Sequence, residues 1–245
     1  MYHTLMRRTL RIFLPLLYVA LAMVPGYVFF SVRGGTEFLQ GLNTERLSIR
    51  LFPLVGLYAF FFVWAQVIIG TTRRLLLRVF PRIVSWHRVA GAGALLFALS
   101  HPTMIIVGYG LQAYLAKTFV APELWGFVYL GMASLFVLVL TAGSALLMKL
   151  PWLRRRWRYI HYANYAVFGL VWVHSWWLGS DVQSTNLRYV WVFYAVTAAI
   201  GVVIRLTARR PAVIRPPSPT AVATHPSSAV LQPTPPTGIA HSRPT

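Results

Sequence analysis

The sequence predicts an all-α membrane protein of six transmembrane helices with both termini cytoplasmic, and three observations carry that reading. The chain has 245 residues, 57% of them hydrophobic and 11% charged, with a mean hydropathy of +0.61, whereas an ordinary soluble domain is roughly 25% charged. Six apolar windows, each able to cross a hydrocarbon core of roughly 30 Å, follow one another with short connections. Most of the cations between those windows fall on one side of a six-span arrangement, as the positive-inside rule requires of cytoplasmic segments.

Residues 1–10 form a short cytoplasmic N-terminus, and the first span covers 11–32. The alternative for this run is a signal peptide cleaved near Ala20-Leu21-Ala22 behind Arg7 and Arg8. The apolar stretch continues through Val28, Phe29 and Phe30, longer than a signal core, so a retained span is preferred. Five more spans follow at 51–70, 87–109, 124–148, 161–178 and 187–206. Pro25, Gly26, Pro53 and Pro102 fall in or near them, where neighbouring helices can satisfy the freed backbone groups.

The basic segments are the N-terminus with Arg7, Arg8 and Arg11, the second loop with Arg73, Arg74, Arg78, Arg82 and Arg88, the fourth loop with Lys149, Arg154, Arg155, Arg156 and Arg158, and the C-terminal segment with Arg205, Arg209, Arg210 and Arg215. The other side holds Arg33, Arg46, Arg50, Lys117 and Arg188 with all four acids, Glu37, Glu45, Glu123 and Asp181. Removing or adding a span would scatter the basic loops over both faces. The segment 207–245 is rich in Pro, Ser and Thr and is predicted to be a disordered cytoplasmic tail, with His225 and His241 solvated in it.

Composition also narrows the chemistry. With no cysteine in the chain, disulfides, thiolate metal sites, iron–sulfur clusters and covalently attached c-type haem are excluded, so metal chemistry falls to histidine. The formal charge of +19 does not point to nucleic acid, because the cations lie between apolar runs and form no separate basic domain.

Four histidines lie within the spans: His87 and His101 in the third, 14 residues apart, and His161 and His174 in the fifth, 13 apart. At 1.5 Å rise per residue each pair is separated by roughly 20 Å, giving two levels of imidazole in the membrane. The third and fifth spans run in the same direction, so His87 matches His161 near the cytoplasmic side and His101 matches His174 near the outer side. Two levels of paired imidazoles suit two b-type haems with His87, His101, His161 and His174 as axial ligands to the iron, an arrangement for electron transfer because no iron position is left open. Ionisable residues inside a membrane are rare and usually functional. The competing readings are histidines that merely bond neighbouring helices, and a haem-free transporter using them as proton or metal sites; transporters of that kind normally also use buried carboxylates, and every acid here sits in or at the edge of an outer loop.

Helical geometry leaves one tension. Fourteen residues return to within about 40° of the starting face, but thirteen miss it by about 140°. A distortion near Gly169, or a helix that starts after His161, would relieve it. Pro102 behind His101 is a candidate for aiming that ligand or for an ordinary kink. Arg88 and Arg158, with Tyr159, flank the inner level and Trp176, Trp177 and Arg50 the outer one, as candidate propionate contacts beside the simpler reading of interfacial anchors. Phe168, midway between the fifth-span histidines, reads first as packing and second as an electron stepping-stone.

Two stretches, SWHRVAGAGALLFALSHP (Ser85 to Pro102) and LRRRWRYIHYANYAVFGLVWVHSWW (Leu153 to Trp177), resemble the third and fifth helices of the ferric reductase-like transmembrane domain, the haem core of ferric reductases and NADPH oxidases. The likeness extends over about residues 10–206, and the basic-Trp-basic-x-x-His entry to the fifth helix is its most specific mark. It implies the pairs His87/His161 and His101/His174, two haem b, and electron flow from inside to outside. Family reductases that use NADPH continue into flavin- and nucleotide-binding domains; no glycine-rich dinucleotide fingerprint occurs here. FAD and NAD(P)H are therefore expected only through a separate flavin reductase, with membrane quinol as the other candidate donor. The expected acceptors are ferric chelate, dioxygen or a periplasmic protein. The haem-binding subunit of protein-methionine-sulfoxide reductase, in the same superfamily, makes a subunit dedicated to such a partner the alternative to a general ferric reductase-like oxidoreductase. The expected location is a plasma membrane, by preference a bacterial inner membrane.

Overall fold

The computed structural model describes residues 2–147 and 150–207, and those residues are helical throughout except at connections, with no strand among them. The predicted tail beyond Thr207, with His225 and His241, lies outside the described residues, as do Lys149, Arg209, Arg210 and Arg215. Eight α-helices occur in order: α1 Tyr2–Val32, α2 Thr44–Leu76, α3 Ile83–Tyr109, α4 Leu111–Ala116, α5 Trp125–Leu146, α6 Pro151–Leu178, α7 Ser180–Ser184 and α8 Leu187–Thr207. Single 3₁₀ turns sit at Glu37–Leu39 and Pro122–Leu124.

This is a multi-pass membrane architecture. α1, α2, α3, α8 and the segment Pro122–Ala145 containing α5 are each long and apolar enough to cross a bilayer. The predicted fifth span lies on α6, which is 28 residues long. Its tryptophans, tyrosines, histidines and N-terminal arginines keep it less apolar than the other five.

Four helices begin earlier than the apolar windows indicate, α1 at Tyr2 rather than 11 and α3 at Ile83 rather than 87, with α2 and α6 the two whose starts have a visible local cause. α2 starts at Thr44 rather than 51 because Asn43 caps it: the side-chain oxygen accepts from the Arg46 N–H at 3.0 Å. α6 starts at Pro151 rather than 161, with proline in the first turn, where its missing N–H is harmless. Arg154, Arg155, Arg156 and Arg158 therefore ride on helix, not loop. α6 is also continuous α-helix past Gly169 to Leu178. Neither a break near Gly169 nor a late start relieves the thirteen-residue mismatch; the two imidazoles leave α6 in different directions.

α2 is the central element. In its apolar window 44% of residues are buried, against 17–22% in the other four, whose outer faces carry exposed Leu, Val, Ile and Phe side chains. Such inverted surfaces suit lipid. Because lipid is as apolar as leucine, membrane helices associate through close packing and hydrogen bonds rather than the hydrophobic effect. Phe60, Phe61 and Trp64 of α2 pack on Trp191 and Tyr194 of α8, with Phe60 stacked on Trp191 at 4.8 Å and Trp64 on Tyr194 at 4.4 Å. Each buried polar handle finds an acceptor: Trp64 Nε1 donates to Thr197 Oγ1 at 3.0 Å, Trp191 Nε1 to Ser175 Oγ at 2.8 Å, and the Tyr194 hydroxyl to Leu21 O at 3.2 Å. Phe168 belongs to this core, stacked on Phe60 at 5.5 Å.

Besides the Tyr194 bond to Leu21 O and its aromatic packing, α1 is tied to the rest by a polar contact toward each end. Near its start Arg11 Nε donates to Val79 O at 3.2 Å, in the connection between α2 and α3. At its end Arg33 grips Asp181 with two hydrogen bonds of 2.8 and 3.1 Å, while its guanidinium lies 3.9 Å from the centre of the Phe29 ring.

Candidate functional site: two levels of paired histidines

α2 and α3 form one antiparallel hairpin, and their contact is organised by glycine opposite histidine. A Cβ placed on Gly56 would come within 2.8 Å of His101 Cε1, and one on Gly70 within 3.8 Å of His87 Cε1. The two glycines are spaced as the two histidines are, so α2 offers a gap at each level. α5 and α6 form a second hairpin, in which a Cβ on Gly131 would meet the His174 ring at 2.5 Å. Real Cβ atoms do not approach that closely, so glycine at 131 is a condition for the His174 ring position.

At the outer level both imidazoles are fixed in the same way. His101 Nδ1 lies 2.8 Å from Phe52 O, and His174 Nδ1 lies 2.7 Å from Phe127 O. A carbonyl can only accept, so Nδ1 carries the proton in each ring and Nε2 keeps its lone pair. That is the tautomer and orientation of a metal-binding imidazole held by an outer hydrogen bond. Each acceptor is four residues before the glycine that makes room for the ring: Phe52 before Gly56 in Phe52-Pro53-Leu54-Val55-Gly56, and Phe127 before Gly131 in Phe127-Val128-Tyr129-Leu130-Gly131. His101 and His174 line one cavity of about 310 Å³, walled mainly by apolar side chains including Leu57, Val63, Leu135 and Leu138. This size and lining are those of a cofactor or ligand site.

The inner level is built differently. The His87 and His161 rings face each other with centroids 6.1 Å apart and planes at 74°. Two imidazoles on one metal have centroids about 6 Å apart, given metal–nitrogen bonds of about 2 Å and ring centres roughly 1 Å behind the nitrogen. His87 Nδ1 is buried without a hydrogen-bond partner, an unusual state for a polar atom. Its backbone is better served: Gln66 Nε2 of α2 donates to His87 O at 2.9 Å. His161 Nδ1 sits 3.2 Å from the Asn164 side-chain amide, which is in turn 2.8 Å from Thr141 Oγ1 on α5.

The structure thus brings His87 to His161 and places His101 and His174 on one cavity, each level drawing one histidine from each hairpin. Among the described residues no group of three or more His, Cys, Asp or Glu side chains assembles, so the donor set at each level is two imidazoles. That set, with outer rings cradled by glycine and an orphaned nitrogen at the inner level, fits axial ligation of a planar iron cofactor.

The flanking candidates are less engaged. Arg88 and Arg158 are exposed, and Arg88 Nη2 reaches Ser85 Oγ at 3.4 Å. Tyr159 is exposed. Trp177 stacks on Phe127 at 5.2 Å, bracing the helix that supplies the His174 acceptor, and Trp176 stacks on Trp172 at 5.1 Å. Arg50 Nη1 donates to Phe38 O at 3.0 Å.

The residues that sequence reasoning missed are Phe52, Gly56, Phe127, Gly131, Gln66, Asn164 and Thr141. A signal existed for four of them, since Phe-x-x-x-Gly occurs at the outer end of both α2 and α5. Set against protein-family models, curated proteins and solved structures, the chain matches none of them.

Proposed function

We propose that the chain is a membrane b-type cytochrome of the ferric reductase-like kind, with His87 and His161 holding an inner haem and His101 and His174 an outer one. The observation that carries the reading is the outer pair, where two imidazoles on one cavity each commit Nδ1 to a main-chain carbonyl and leave Nε2 as the donor. Bound haem supplies one-electron chemistry. The chain's part is to hold each ring in one tautomer, to exclude water from the cavity with apolar side chains, and to keep the two levels at opposite ends of α3 and α6. In this reading α6 is the fifth of six spans, both termini and the basic connections are cytoplasmic, and electrons move from the inner level to the outer one.

The donor is a separate flavin reductase docking on the basic connections, or membrane quinol; the acceptor outside is ferric chelate, dioxygen or a periplasmic protein such as a methionine sulfoxide reductase partner. The membrane is a plasma membrane, in bacteria the inner one. A haem-free transporter fits less well. The one buried acid among the described residues, Asp181, is already bonded to Arg33.

A reduced-minus-oxidised spectrum with haem-to-protein stoichiometry on detergent-purified protein tests the proposal. Two b-type haems per chain is the expected result; none after haem-supplemented expression overturns it.

A further inference from the structure

Leu153, Trp157, Ile160 and Asn164, at i, i+4, i+7 and i+11 of α6, turn toward the rest of the bundle, and Leu153 is buried. The opposite face of the same turns carries Trp152, Arg155, Arg156, Tyr159 and Tyr162, all exposed, with Arg154 and Arg158 exposed at its edge. Trp152 and Tyr159 are 62% and 76% exposed, so their rings pack on little of the chain itself.

Charge, depth and chemistry together narrow what can cover this stripe. Four arginines fall within five positions of one helix, and like charges so close repel. No acid of the chain relieves them: Glu37, Glu45, Glu123 and Asp181 lie toward the other end of α6, where Asp181 follows the helix and Phe127 stacks on Trp177. Arg156 precedes Trp177 by 21 residues, about 31 Å of helix, which matches the roughly 30 Å of a hydrocarbon core. With Trp177 at one boundary of that core, the arginines stand at the other, among headgroups. Tryptophan and tyrosine favour the same boundary, and the planar guanidinium pairs with a phosphate through two parallel hydrogen bonds.

We infer that the exposed stripe from Trp152 to Tyr159 of α6 is a binding site for anionic phospholipid headgroups, which supply the negative charge the chain lacks there. The inference rests on α6 crossing the membrane, as in the function proposed above, and is independent of haem. A zwitterionic headgroup brings its own cation and leaves the repulsion standing, so the site selects phosphatidylglycerol over phosphatidylcholine. An acidic soluble protein matches the charge but reaches these arginines only by displacing headgroups; the connection between α2 and α3, with Arg78 and Arg82 beyond the helices, is better placed for one. Arg158 is one turn before His161, so the bound phosphates border the inner level.

The test is native mass spectrometry of the full chain from micelles containing equal amounts of phosphatidylglycerol and phosphatidylcholine. Wild type is expected to retain several-fold more phosphatidylglycerol, and Arg154→Gln/Arg155→Gln/Arg156→Gln to bind the two equally. Single Arg155→Gln and Arg156→Gln, which serve if the triple variant does not fold, are each expected to lower the preference in part. Arg46→Gln/Arg188→Gln, toward the other end of the molecule, keeps the wild-type preference. Equal binding of the two lipids by wild type, a preference that survives in every α6 variant, or an equal loss in the Arg46/Arg188 variant overturns the inference. Equal binding by wild type, together with slower haem reduction by a cytosolic extract in the triple variant, gives the stripe to an acidic protein instead. Thiol labelling of Leu150→Cys and Ser184→Cys checks the crossing separately: labelling from one side overturns both the crossing and the lipid site, whereas opposite labelling without a lipid preference overturns the lipid site alone. A lipid preference in a chain that binds no haem overturns the haem reading alone.

Discussion

Glycine at two positions decides where two imidazoles can be. Gly56 and Gly131 lie under the His101 and His174 rings so closely that a single methyl group would occupy ring space. Gly131→Ala is expected to displace His174, break its 2.7 Å bond to Phe127 O and, on the proposed reading of two haems per chain, reduce binding to one; overpacking of this kind costs about 1–3 kcal/mol in stability. Gly70, whose Cβ would stand 3.8 Å from His87, is the control: alanine there makes ordinary contact, and both haems should remain. Pyridine haemochromogen assay of the two variants decides between these outcomes. Replacing His101 or His174 singly by Ala should remove the same, outer haem, leaving the inner spectrum intact. Retention of both haems in either variant would dissolve the proposed pair.

The four histidines themselves were legible, because an intramembrane His is conspicuous in an apolar window. Their partners were not. Phe52 and Phe127 act through backbone oxygen, which every residue has, and only the close approach of two helices tells which carbonyl a ring will meet. Asn164 was visible three residues after His161, but its relation to Thr141 depends on α5 and α6 lying side by side.

At the scale of elements, hydropathy located every long helix yet placed the starts of α1, α2, α3 and α6 too late, with the cause plainest for α2 and α6. A window score sees the portion that lipid requires to be apolar and stops where polar residues begin. The helix obeys backbone hydrogen bonding instead, and continues to Asn43 in one case and Pro151 in the other. The short helices α4 and α7 escaped for the same reason, being too brief and too mixed to register. α7 nevertheless fixes the end of α1, because Asp181 is 5% exposed and holds Arg33 through two hydrogen bonds. Removing one member of such a pair strands the other, at a cost of about 3 kcal/mol. Asp181→Ala should therefore lower the melting temperature in detergent with both haems still bound at low temperature. An unchanged melting curve would mean α1 is held chiefly by its aromatic contacts with α2, such as Tyr18 on Phe61 at 5.3 Å.

For the molecule as a whole, orientation is the first thing to measure, and the sequence makes it convenient, because the chain has no cysteine. Single replacements Arg78→Cys and Thr36→Cys, probed in intact cells or spheroplasts with a membrane-impermeant thiol reagent, should label oppositely: Thr36→Cys from outside, Arg78→Cys only after lysis. Like labelling of both sites would contradict the single crossing that α2 makes between them. Those positions lie at opposite ends of α2, so one transmembrane helix separates them and the expected difference is unambiguous.

The two hairpins, α2–α3 and α5–α6, repeat one plan: a Phe-x-x-x-Gly helix followed by a helix whose outer histidine donates to that phenylalanine's carbonyl. Neither hairpin contains a complete level, since each level takes one ring from each. Biogenesis inherits the consequence. A nascent chain that has released α2 and α3 into the membrane owns two half-sites and nothing able to clamp a cofactor from both sides, until α6 arrives and completes both levels in one event. On the haem reading proposed above, loading is thereby deferred to the end of insertion, and the finished bundle, rather than either half, is the form expected to admit the cofactor.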